Sequence, residues 1–185
     1  MATTNLVVDY LVIGIGSLVW VFPALVALSG TQWLCSAVKA GAAGAVLVAG
    51  VVYVLGICIS RIADDVTGRW NDRMRDEVFG TSGGQPYHWQ LNFVVAKSES
   101  GSEYLSYRRS IVRISRACAL HFGLGALAWA IAGCLPARGV SLLPGAVCAA
   151  ACGGACWVMT KAWKVVLKGY FHSVKDIYEH LSQTE

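Results

Sequence analysis

Apolar positions in this chain gather into four long runs, and the polar segments between them differ sharply in length and pattern. Leu11–Leu28, Ala40–Ile59, Ala117–Leu135 and Val140–Met159 are 18, 20, 19 and 20 residues long and contain no Asp, Glu, Lys or Arg. A hydrocarbon core about 30 Å thick is crossed by roughly 20 helical residues, so each run predicts a transmembrane helix. The first reaches full length with Val7, Val8 and Tyr10. The fourth rests on Ala, Cys and Gly more than on Leu, and suits a bundle better than a solitary span.

Helical periodicity does not stop at the end of the second run. In RIADDVTGRWNDRMRDEVF, Ile62, Val66, Trp70, Met74 and Val78 recur every four residues, as on one face of a helix. Around them Arg61–Asp65, Arg69–Asp72, Asp72–Arg75 and Arg73–Glu77 stand three or four apart with opposite charge. Such pairs contribute about 0.2–0.5 kcal/mol each and read as a solvated helix face. The segment leading into the third run, YLSYRRSIVRIS, is the expected return arm. Arg109, Arg113 and Arg116 share one face, with Tyr104, Tyr107, Ile111, Ile114 and Cys118 opposite. The two arms predict an antiparallel helical stalk.

Between the arms the pattern changes period. Tyr87, Trp89, Leu91, Phe93 and Val95 alternate with His88, Gln90, Asn92 and Val94, bracketed by Gly, Ser and Pro. Alternation with aromatic and β-branched residues predicts a strand. A lone strand leaves its backbone groups unpaired, so these five residues are candidates for contact with a partner protein or a second copy. After the fourth run, Phe171, Val174, Ile177, Tyr178 and Leu181 form an apolar stripe, with Lys164, Lys168, His172 and Lys175 on another face. Such a tail either lies on anionic lipid or packs under the bundle. Trp157 and Trp163 fall where an interfacial aromatic belt sits.

The chain thus divides into a transmembrane hairpin over 1–60, a stalk over 61–116 with a tip loop over 80–102, a second transmembrane hairpin over 117–160, and an amphipathic tail over 161–185. The expected fold is an all-α integral membrane protein: four transmembrane helices, a cytoplasmic helical-hairpin extension of the second and third, and a short extended, β-like tip.

Composition agrees with a membrane location. Charged residues are 14% of the 185 and apolar ones 56%, against about 25% charged in a soluble domain. Charge then orients the spans. Thirteen of the fifteen Lys and Arg lie in 61–116 or after the fourth run, and the two short connections hold only Lys39 and Arg138. The positive-inside rule places both termini and the long central segment in the cytoplasm. The stretch before the first run has Asp9 and no basic residue, unlike a cleavable signal peptide. The net charge of +4 is therefore topological, with no direct nucleic-acid binding expected, and Arg109, Arg113, Arg116, Lys164 and Lys168 are candidates for contact with lipid headgroups or the stalk.

Catalytic chemistry is hard to assemble from these residues. Arg116 and His121 form an Arg-x4-His pair of the kind some ribonucleases use, but five helical residues put the two side chains about 140° apart. His121 is the strongly polar ionisable group inside a run, and such groups face a bundle interior or a pore. Cys148, Cys152 and Cys156 share a face, as do Gly41 and Ala45; small residues at this spacing predict close helix packing in preference to a metal or redox ladder. Gly14 and Gly16 lack the third glycine of a dinucleotide fingerprint. Six of the seven cysteines lie in runs and Cys35 lies in a short connection, so no disulfide framework is expected.

No cofactor and no metal are expected, nor an enzymatic activity. The expected function is a non-catalytic, homo-oligomeric inner-membrane module, in contact with lipid, that recruits or senses a soluble cytoplasmic protein and alters membrane integrity. This layout is similar to that of small bacterial membrane subunits of defence and stress systems. The alternatives are a small channel or transporter subunit with His121 in its pore and, third, a membrane-bound enzyme.

Overall fold

The computed structural model describes residues 2–29, 41–80, 86–135 and 142–183. Every element among them is an α-helix: α1 (Ala2–Gly16), α2 (Leu18–Ser29), α3 (Gly41–Phe79), α4 (Tyr87–Lys97), α5 (Glu99–Gly133) and α6 (Leu142–Gln183). Four helical segments are long and apolar enough to cross a membrane: Leu6–Leu28 (α1 with α2), Val46–Phe79, Glu99–Gly133 and Leu142–Gln183, whose most apolar 18-residue windows have mean hydropathies of 2.4, 2.3, 1.4 and 1.7. The chain is a multi-pass membrane protein on this ground. Cys35, Lys39 and Arg138, and the surroundings of Gly41 and Ala45, lie outside the described residues.

The three long helices overrun a bilayer. At 39, 35 and 42 residues and 1.5 Å per residue, α3, α5 and α6 reach about 58, 52 and 63 Å. Each joins an apolar half to a polar half through unbroken backbone hydrogen bonds. The most extensive interface is between α5 and α6; α1 lies on α3, α2 on α5 and α4 on α6.

Glycine sets the closest approaches in the apolar half. A side-chain carbon at Gly14 would collide with the Val52 carbonyl, and one at Gly56 with the Tyr10 carbonyl. Tyr10 and Gly14 are four apart on α1, as are Val52 and Gly56 on α3, so each helix seats the other's backbone reciprocally. Such contact lets helices associate in lipid, where apolar side chains gain nothing by leaving the tails. A second close crossing joins Gly133 of α5 to Gly145 of α6. Between α1 and α2 the helix breaks at Ser17, whose hydroxyl donates to the Gly14 carbonyl. Its own carbonyl accepts from the Trp20 and Val21 amides.

The polar half is held by its own core. Val94, Leu105, Val112, Trp163, Leu167, Tyr170, Phe171 and Val174 are buried together, with Met74, Val78, Leu91, Ile177 and Leu181 packed against them. α6 is thus one helix through the tail, and its stripe packs within the bundle. The stalk is an assembly of four helices, not a two-armed hairpin alone. Trp163 is 1% exposed inside this core, whereas Trp157 is 65% exposed and only it sits as a belt residue would. On α5 the expected faces hold in part: Ile114 packs inward, but Tyr104 and Tyr107 are exposed while Leu105, Val112 and Arg116 are buried.

The expected extended tip is corrected outright. Tyr87–Lys97 is a helix. Pro86 is its N-cap, with extended backbone at ψ 146°, and its carbonyl accepts from the Trp89 amide. The segment ends at Ser98, which caps α5 by accepting from the Gly101 amide at 3.0 Å. The helix satisfies its backbone internally, which an isolated strand could not. Tyr87, Leu91 and Val94, spaced four and three, turn to the core; the alternation on which a strand reading rests is a by-product of two apolar helical faces.

Candidate functional site

Where the apolar halves of α3 and α5 give way to polar ones, the helices part around a cavity of about 400 Å³. Five arginines line it, Arg61 and Arg75 from α3 and Arg109, Arg113 and Arg116 from α5, with Asp64, Asp72 and Asn71 among the facing groups. The spacing that puts Arg109, Arg113 and Arg116 on one helix face therefore aims that face at α1 and α3.

Two ion pairs tie the cavity walls together. Arg113 donates to Asp9 of α1 at 2.9 Å, and Ser110 donates to the same carboxylate oxygen at 2.5 Å. Asp9 is 6% exposed. Arg116 donates to Asp64 of α3. Arg75 pairs along its own helix with Asp72 at 3.1 Å and Asp76 at 3.4 Å. Of the four local pairs expected on α3, Asp72–Arg75 is present among the described residues; Glu77, expected to pair with Arg73, instead reaches Lys168 of α6.

The far wall carries a tyrosine pair. The Tyr87 and Tyr170 hydroxyls are 3.0 Å apart. Burial pushes the Tyr87 phenol above its ordinary range, helped by the Tyr170 hydroxyl, while Arg109 and Arg75 pull against that shift. Tyr87 also meets Phe79 and Phe171 edge-on at 5.3 and 5.4 Å. This residue thus fastens α4 to α6 and α3.

The five tip residues separate once they are helical. Tyr87 and Leu91 face the core, while Trp89 and Phe93 stack at 5.5 Å and both meet Tyr178 of α6 edge-on, at 5.5 and 5.4 Å. Trp89 remains 44% exposed and Val95 50%. Lys168 reaches Glu77 of α3 at 3.1 Å, and Lys164 lies over the Trp70 ring at 5.8 Å.

His121 sits in the interior of the apolar half, 1% exposed. Its Nδ1 accepts from Trp20 Nε1 at 3.2 Å, which leaves the hydrogen on Nε2. That nitrogen is buried without a hydrogen-bond partner. Gly16 makes the room, since a side-chain carbon there would lie 2.8 Å from the imidazole. Cys152 and Cys156 face α5, 3.4 and 3.5 Å from where side-chain carbons at Gly125 and Gly123 would stand, and Cys148 is half-buried beside them. No cluster of His, Cys, Asp or Glu suited to a metal ion occurs among the described residues.

Sequence reasoning missed Asp9 as a partner of Arg113, and Gly14, Gly16 and Gly56 as contact glycines. A carboxylate placed just before an apolar run was the available signal for Asp9. No protein-family model matches the chain, and neither a curated protein nor a solved structure resembles it.

Proposed function

We propose that the chain is a non-catalytic, homo-oligomeric module of a bacterial inner membrane whose helical bundle stands in the cytoplasm, recruits or senses a soluble protein there, and passes the result to its spans. The observation that carries this reading is continuity: α3, α5 and α6 each run unbroken from an apolar half into the bundle. A displacement imposed on the bundle is then a displacement of three spans. The concentration of basic residues in the bundle orients it toward the cytoplasm. The docking surface is the outer face of α4, where Trp89 and Val95 stay exposed beside a rigid aromatic cluster; tryptophan in such a setting is a typical binding hot spot.

Oligomerisation is supported by α6. Only 6% of its most apolar window is buried within the chain, and Leu142, Leu143, Val147 and Val158 are more than half exposed. That surface meets lipid or another copy.

The test is photo-cross-linking in intact cells from a reactive residue at Val95. The expected adduct is a soluble protein, lost on Trp89→Ala while the chain stays in the membrane. Adducts with lipid or with the chain itself alone would overturn the recruitment reading. Dye retention by vesicles holding the chain, before and after addition of that protein, then tests the effect on membrane integrity.

A further inference from the structure

The charges around the arginine cavity do not balance. Asp9 occupies Arg113, Asp64 occupies Arg116, and Asp72 and Asp76 occupy Arg75. Arg61 and Arg109 also line the cavity and are exposed, with no ion pair among the described residues. Deeper in, Arg116 is 7% exposed and its Nε has no hydrogen-bond acceptor; Asn71 Oδ1 on the facing helix is also buried and without a donor. A buried guanidinium N–H left without an acceptor costs free energy, and an anion seated among these groups supplies one.

We propose that this cavity binds a phosphate group carried on a hydroxyl-bearing moiety, either the headgroup of an anionic lipid or a small soluble phosphate ester. Guanidinium forks match phosphate oxygens in number and direction. The two unpaired arginines present two guanidinium forks to one phosphate group. Asn71 Oδ1 and the Tyr87–Tyr170 hydroxyl pair offer an acceptor and a donor to a neighbouring hydroxyl. About 400 Å³ lies within the range of roughly 300–1,000 Å³ usual for small-molecule sites. The cavity also lies where uncharged runs meet polar helix, the depth of lipid phosphates, and basic pockets between spans at this level hold lipid headgroups. This inference goes beyond partner recruitment and stands or falls without it.

The test uses the full chain in nanodiscs. In one arm the discs are phosphatidylcholine and the titrant is inorganic phosphate, then glycerol 3-phosphate, followed by calorimetry. In the other, discs of phosphatidylcholine with phosphatidylglycerol are examined for lipid retained on release from the disc, by native mass spectrometry. Binding is expected in one arm, and the arm identifies the source. Arg61→Gln and Arg109→Gln should each weaken it about tenfold or more, equivalent to about 1.4 kcal/mol, without moving the thermal midpoint of the ligand-free protein. Arg109→Lys should fall between, because it keeps the charge and loses the fork. Arg69→Gln, on α3 but outside the cavity, should bind as the parent does. No binding in either arm, or equal weakening by Arg69→Gln, overturns the proposal.

Discussion

Asp9 of α1 and Arg113 of α5 are 104 residues apart in the chain and joined at 2.9 Å, with Ser110 donating to the same oxygen. This contact fixes the amino-terminal end of the first span to the point where α5 leaves its polar half. Removing one partner of a buried pair strands the other, at about 3–5 kcal/mol. Asp9→Asn and Arg113→Gln should each lower the thermal midpoint in detergent strongly. The double substitution should cost less than the sum of the two, and strict additivity in that cycle would show that the pair is not coupled.

Glycines at contacts and glycines in the open should respond with opposite sign. Gly14→Val drives a branched side chain into the Val52 backbone and should separate α1 from α3, lowering stability by more than about 1 kcal/mol. Gly68 lies in mid-helix with nothing within 4 Å of a side-chain carbon placed there. Gly68→Ala should stabilise by up to about 1 kcal/mol. Unfolding measured in one detergent for both variants checks the pair, and stabilisation by Gly14→Val would refute the reciprocal seat.

The raised Tyr87 phenol makes the bundle sensitive to alkali. Unfolded, the phenol releases its proton near pH 10; folded, burial holds the proton to higher pH. The folded state therefore binds more protons above about pH 10, and stability falls as pH rises through that window. Tyr87→Phe should lose about 1 kcal/mol at neutral pH, where the hydrogen bond to Tyr170 is removed, and should show a shallower decline above pH 10. Parallel slopes for the two proteins would show that another group governs the alkaline limit.

His121 is buried and packed against Trp20 and Gly16, between α1, α2 and α5. His121→Ala leaves Trp20 Nε1 without its acceptor, at about 1–3 kcal/mol, and empties the volume of the ring. The expected result is a lower thermal midpoint with no change in ion flux across vesicles. A flux that depends on His121 at unchanged stability would favour the channel reading.

The spans were legible because burial in lipid demands long uncharged runs, and the chain supplies them. Their continuation into polar helix was legible from four-residue spacing. The rotation of α5 was not. Tyr104, Tyr107 and Ile111 look like a buried stripe, yet the helix buries Leu105, Val112 and Arg116 and leaves Tyr104 and Tyr107 exposed. Local spacing gives a face but not its partner, and here carboxylates on α1 and α3 selected it. The tip misled for a related reason. In an eleven-residue helix with apolar residues on two faces, one toward the core and one toward Tyr178, period two and period 3.6 fit almost equally. At the arginine cavity the basic side was readable and the acidic side was not, because Asp9 is distant in sequence from everything it touches.

The arrangement of the polar core has a consequence for the order of synthesis. Five of its eight buried residues, Trp163, Leu167, Tyr170, Phe171 and Val174, belong to α6, the latest of these helices to leave the ribosome. Until then α3 and α5 have their apolar spans, and with α4 they have no shared centre to close upon. A chain interrupted before Trp163 would lack these five residues and display an unfinished bundle.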